Sequence, residues 1–141
     1  MYKKILVAID GSESGYNALK AAIDLAKQFN SELYLVSVVN TENLPMNVGV
    51  SYAPGLVSDL EHNANRDLEK GKDIVRAAGL TCQSKLLNGE PREQLVKFPK
   101  DNQIDLIVMG KTGTSPFTRV FVGSVTRYVS EHSEINILIV I

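Results

Sequence analysis

Four stretches of the chain are almost continuously apolar, and the segments between them carry apolar residues at helical spacing. Lys4 to Ile9 stops at Asp10-Gly11-Ser12 and reads as a strand buried on both faces, hence central and parallel. Ser12 or Ser14 then caps a helix whose inward positions are Ala18, Leu19, Ala22, Leu25, Ala26 and Phe29, ending at Asn30. Glu32 to Val39 is a second strand, rich in β-branched and aromatic residues. Residues 40 to 55, punctuated by Pro45, Gly49, Pro54 and Gly55, predict a long loop, either a functional lid or a surface insertion.

Leu56 to Ala78 predicts a long helix with a stripe of Val57, Leu60, Ala64, Leu68, Val75 and Ala78, stopped by Gly79; His62 lies off the stripe. Thr81 to Leu87 is a third strand, and Pro91 suits the start of the next helix. Pro99 falls inside that helix, Arg92 to Asn102, and is expected to end or kink it after about two turns. Ile104 to Met109 is the fourth strand. Ser124 to His132 is a short helix with Val125, Tyr128 and Val129 inward, and Ile135 to Ile141 is the fifth strand. The alternation predicts an α/β fold: a doubly wound, five-stranded parallel sheet in the order 3-2-1-4-5 with helices on both faces.

Composition narrows the partners. The 141 residues suit a single domain spanning 1–141, and with 44% hydrophobic and 22% charged residues the chain has the make-up of a soluble globular protein. No apolar run approaches the roughly 18 residues of a membrane span, and the N-terminal apolar segment is too short for a signal peptide. A cytoplasmic location without membrane association is the expectation. The single cysteine, Cys82, has no partner for an internal disulfide or a metal pair. A net charge of −1 with scattered signs lacks the basic patch of a nucleic-acid binder.

The candidate chemistry lies between the fourth strand and the helix after it. Gly110-Lys-Thr-Gly113 is followed by nine residues and then Gly123-Ser124, a Gly-x2-Gly-x9-Gly-Ser pattern. Glycine lets backbone approach a ligand, and a helix start leaves N–H groups without partners, so this loop is suited to an anion such as phosphate. In the predicted strand order the ligand crevice lies between strands 1 and 4, which brings Asp10 and Gly110 to one place. Phosphates would lie on the amides of Gly113, Gly123, Ser124 and Val125, with the Ser124 hydroxyl as a further donor. Backbone groups near Val38 are placed to read a base. Asp10 could hold ribose hydroxyls or a phosphate-bound Mg²⁺, or could instead be a turn carboxylate capping the Ser12 amides.

Two other motifs are excluded by spacing. Gly110-Lys111-Thr112 lacks the P-loop glycine five residues earlier, where Asp105 stands. Asp10 to Gly15 lacks the Gly-x-Gly-x-x-Gly spacing of a dinucleotide site.

Lys-Ile-Leu-Val-Ala-Ile-Asp-Gly-Ser at the N-terminus, Ile-Asp-Leu-Ile-Val-Met-Gly at 104–110, and the Gly-x2-Gly-x9-Gly-Ser-Val pattern together resemble the nucleotide-binding branch of the universal stress protein family, over essentially the whole chain. The resemblance implies the same sheet order and an ATP site, with ADP or AMP as related ligands. It places the contacts at Ala8, Asp10, Val38, Met109, Gly110, Thr112, Gly113, Gly123, Ser124 and Val125. Thr112 stands where many members carry histidine or arginine, and Glu134-Ile135 replaces the Cys-Pro or Arg-Pro-like pair often found before the last strand.

The all-apolar last strand, Ile135 to Ile141, would be an exposed sheet edge in a monomer. Antiparallel pairing with the same strand of a second copy closes it as a twofold homodimer, which the resemblance also implies. His62 and His132 are the only histidines, and neither has a motif partner for catalysis. The leading expectation is thus an ATP-binding switch or sensor in stress response, without efficient catalysis. The alternatives are a slow Mg-dependent ATP hydrolase or phosphotransferase at the same site, and a ligand-free dimeric interaction module.

Overall fold

The computed structural model of the protein describes residues 1–42, 49–112 and 123–141. Its strands are β1 (Lys4–Ala8), β2 (Glu32–Asn40), β3 (Cys82–Gly89), β4 (Leu106–Gly110) and β5 (Asn136–Val140), and its helices are α1 (Glu13–Phe29), α2 (Gly49–Ala77), α3 (Pro91–Asp101) and α4 (Ser124–His132). The sheet order is β3-β2-β1-β4-β5, with every pairing parallel. β1 is central: Leu6 lies beside Tyr34 on one side and Ile107 on the other.

Successive side chains of a strand point to opposite faces, and both faces of this sheet are covered. Ile5, Val7, Leu33, Leu35, Leu106 and Val108 pack with α1 and α2 through Leu19, Ala22, Leu68 and Val75. Leu6, Val36, Ile107 and Met109 pack on the other face with Leu95 of α3 and Val129 of α4. Burying each such aliphatic side chain contributes about 1.5–3 kcal/mol, so the unbroken apolar runs of β1 and β4 hold the sheet's centre from both sides.

Local chemistry sets the helix ends. Ser12 caps α1 by accepting the Gly15 amide at 3.0 Å, and Asn30 ends it in the left-handed region at φ 55°. α2 starts at Gly49, within the segment expected to be loop, and carries Pro54 in its second turn. So near a helix start only one backbone bond is forfeited to proline, which explains why the punctuation did not prevent helix. The α2 stripe is completed by Gly71, where an added Cβ would lie 3.0 Å from Leu35 Cδ1; the missing side chain lets the helix approach β2.

α3 continues through Pro99 to Asp101 rather than ending at the proline. The ring is buried, and the Pro99 carbonyl accepts the Ile104 amide at 2.9 Å, so Pro99 joins the turn that leads into β4. Phe29, expected on the inward stripe of α1, is instead 38% exposed and packs edge-on against Tyr2. In α4, Thr126 and Val129 are buried while Val125 and Tyr128 are only half-buried.

Candidate functional site

A cavity of about 280 Å³ opens at the carboxyl ends of β1 and β4, where the strand order reverses. Ala8, Asp10, Val38, Met109, Gly110, Thr112, Gly123, Ser124 and Val125 all line it. These are nine of the ten residues singled out from the sequence; the tenth, Gly113, lies outside the described residues. Two regions of chain a hundred residues apart thus share one crevice because β1 and β4 are adjacent in the sheet.

The β1 side is a tight turn. Asp10 Oδ1 accepts both the Ser12 amide, at 3.0 Å, and the Ser12 hydroxyl. The turn-carboxylate role weighed for Asp10 is therefore present in the structure, and the residue is exposed at the cavity's edge. Gly15 is packed beneath it: a Cβ there would lie 3.0 Å from Asp10 Oδ1.

β2 outruns β1. Val36 is the partner of Ala8, and its carbonyl accepts the Ile9 amide at 2.8 Å. Backbone groups of a parallel strand alternate in direction, so the N–H and C=O of Val38 lie on the same side as those of Val36. They face the crevice beyond the end of β1.

On the opposite wall, α4 begins at Ser124 with Gly123 as its N-cap and no side-chain cap bond. The first backbone bond of the helix is Arg127 N–H to Gly123 O, at 2.9 Å, which leaves the amides of Ser124, Val125 and Thr126 without a carbonyl in their own helix. The Gly123 amide, expected to serve an anion, donates to the Lys111 carbonyl at 2.8 Å. Among the described residues, the amides at this wall that have no carbonyl partner are those of the three residues after Gly123. Among the described residues lining the cavity, Asp10 has the only formal charge, and the start of α4 contributes fractional positive charge.

Besides Ala8 and Val125, the apolar part of the lining comes from Ile9, Val36, Val38, Pro91, Leu95 and Met109. His62 and His132 are both exposed, and neither lines the cavity. His132 stacks on Tyr128 with ring centroids 3.9 Å apart, and its Nδ1 lies 2.8 Å from the Tyr128 carbonyl.

The sequence model of the universal stress protein family matches residues 1–140. Universal stress protein MJ0531 of Methanocaldococcus jannaschii is 34% identical to the chain over 144 residues, covering 99% of it and 82% of the relative. The chain belongs to the universal stress protein family. Among solved structures, universal stress protein UspA from Lactobacillus plantarum superposes with a TM-score of 0.90 at 26% identity, covering 99% of this chain and 98% of the other. A universal stress protein crystallised in complex with cAMP superposes with a TM-score of 0.75, also at 26% identity, covering 99% and 97%.

Within this universal stress protein fold, several lining residues were not singled out from the sequence as site residues. Ser12 and Gly15 belong to the α1 cap, and Pro91 and Leu95 come from a helix read only for its boundaries. Ser14 sits just behind the lining and accepts the Thr112 amide at 3.3 Å. Thr126 donates its hydroxyl to the Gly110 carbonyl at 2.9 Å. No described group of His, Cys, Asp or Glu side chains forms a metal cluster. Nor is any described helix long and apolar enough to cross a membrane.

Proposed function

We propose that the protein binds an adenine nucleotide, ATP or its ADP and AMP relatives, in the β1–β4 crevice and works as a nucleotide-dependent switch or sensor. The observation that carries this reading is the uncapped start of α4. Three backbone amides with no acceptor among the described residues belong to the lining of a cavity that is largely apolar elsewhere, which suits a phosphate at one end and a base at the other. The cAMP complex of a structural relative supports the ligand class. In this reading the base lies against Val36, Val38 and Leu95, near the outward backbone groups of Val38, and the phosphates reach Ser124 and Val125.

Mg²⁺ usually binds through one or two carboxylates together with substrate phosphates. Asp10, with one oxygen engaged by Ser12, fits that pattern as a single protein ligand, or as a partner for ribose hydroxyls. Binding without efficient turnover is the leading reading, and slow Mg-dependent hydrolysis at the same site is its alternative. The same reading pairs β5 with its copy in a twofold dimer, since β5 is an edge strand with Leu138 38% exposed.

The test begins with the mass of any small molecule released when freshly purified protein is denatured, followed by titration of ATP with Mg²⁺ into wild type and G123V. Saturable binding that G123V abolishes, with no multiple-turnover phosphate release, supports the switch. Wild-type protein that is empty and binds no nucleotide near millimolar concentration overturns it, and rapid phosphate release favours the hydrolase.

A further inference from the structure

α4 starts on a glycine, so no side chain caps it. An uncapped helix end frays unless something else fixes it. Two hydrogen bonds do so. The Gly123 amide donates to the Lys111 carbonyl at 2.8 Å, a main-chain bond that is indifferent to side-chain identity. The second is the bond from the Thr126 hydroxyl to the Gly110 carbonyl, at 2.9 Å, and it exists only because residue 126 carries a hydroxyl.

A threonine within a helix commonly turns its hydroxyl back onto a carbonyl of the preceding turn. Thr126 instead reaches across to the last residue of β4, and it is 5% exposed while doing so. A buried bond of this kind is enforced, because without it the Gly110 carbonyl loses its donor. It fixes the third residue of α4 against the strand from which the glycine loop departs. The amides of Ser124 and Val125 are thereby held at the cavity wall without a capping side chain in front of them.

We propose that Thr126 is the positioning residue for phosphate recognition in this cavity: its hydroxyl sets the distance and orientation of the α4 start relative to β4, so that the Ser124 and Val125 amides converge on a phosphate. The inference rests on the nucleotide reading and deepens it. The hydroxyl is spent on Gly110 and makes its contribution through the helix. It acts on the phosphate end alone, because the base end is built by Val36 and Val38 on β2 and Leu95 on α3. The ratio of ATP affinity to adenosine affinity therefore depends on residue 126, in a way that general loosening of the fold does not reproduce.

Calorimetric titration of the full chain with ATP and separately with adenosine tests this in wild type, T126V and T126S. T126V, which keeps the shape and removes the hydroxyl, is expected to lose about tenfold or more in ATP affinity while adenosine changes less than about twofold. T126S restores the wild-type ratio. If T126V keeps the wild-type ratio, or loses both ligands in equal proportion, the positioning role is wrong. Should T126V not fold, T126A set against T126S makes the same comparison with smaller side chains. Wild-type protein that binds neither ligand brings down the nucleotide reading and this inference with it, whereas wild type that binds both, with an unchanged ratio in the variants, removes this inference alone.

Discussion

Gly110 is packed directly against Ser14: a Cβ on Gly110 would lie 2.2 Å from the Ser14 Oγ and 2.7 Å from its carbonyl carbon and oxygen. The end of β4 thus rests on the first turn of α1, and the Ser14 hydroxyl accepts the Thr112 amide beyond it. Because two of the three contacts are backbone, no rotamer change relieves them. G110A is expected to cost roughly 1–3 kcal/mol or more in denaturant unfolding, the range for overpacking a close contact. S14A removes only the hydroxyl, so the double variant should remain destabilised; a return to wild-type stability would show that the backbone contact is soft.

Glu90 caps α3, accepting the Glu93 amide at 3.1 Å and pairing with the Arg92 guanidinium at 2.9 Å. Partial burial raises its pKa, but the Arg92 hydrogen bond and the Glu93 amide outweigh that and hold it below the usual carboxylate value. A depressed carboxylate stabilises the fold above its unfolded pKa and stops doing so as pH falls through its folded value. E90A should lose about 0.5–1 kcal/mol at neutral pH, and the deficit should shrink as the solution is acidified below pH ~4. Paired urea melts at neutral and acidic pH would read it, and a deficit that does not change with pH would contradict the capping role.

Tyr16 joins α1 to α2, with its hydroxyl donating to the Asp67 carbonyl at 3.0 Å and Lys70 Nζ 4.4 Å from the ring centroid. Burial first, then the Asp67 and Asp10 carboxylates, push its phenol above the ordinary tyrosine value, against a smaller opposing pull from Arg66. The sign is the reverse of that for Glu90. A raised pKa means the unfolded chain gives up the proton first, so this stabilisation is complete below pH ~10 and drains away above it. Y16F is expected to cost about 1 kcal/mol at neutral pH through the lost hydrogen bond, with the gap narrowing in alkali. In the ultraviolet phenolate titration, wild type should show a late-ionising tyrosine that Y16F lacks.

If β5 pairs antiparallel with its copy, Leu138, at the middle of Asn136–Val140, falls beside its own twin. L138K places two ammonium groups there. Sedimentation of the wild type should give twice the 15.5 kDa chain mass, and L138K should give the monomer with its far-ultraviolet circular dichroism unchanged. A wild type that sediments as a monomer at micromolar concentration would remove the strand-pairing proposal.

The sheet was legible because its central strands are buried on both faces, and β1 and β4 accordingly read as runs with hardly a polar interruption. Their adjacency then located the crevice, since a switch point follows from strand order. What the sequence hid was of three kinds. Ser14 and Thr126 are small hydroxyl residues whose partners, Thr112 and Gly110, stand 98 and 16 residues away, and no local pattern marks such a bond. Pro54 and Pro99 misled as helix breakers because one lies close to a helix start and the other is buried where α3 turns into β4. Gly123 was legible as a loop glycine but not as a donor to Lys111, since the loop's closure is a property of its two ends together.

Lys111 holds its place through main-chain groups: its N–H donates to the Val140 carbonyl of β5 at 3.0 Å, and its own carbonyl accepts Gly123. Neither bond consults the side chain, and proline is the one residue unable to make both. Position 111 should therefore drift freely among related proteins while remaining a junction between the sheet's rim and the mouth of the cavity. A residue can be mechanically central there and leave almost no trace in a comparison of sequences.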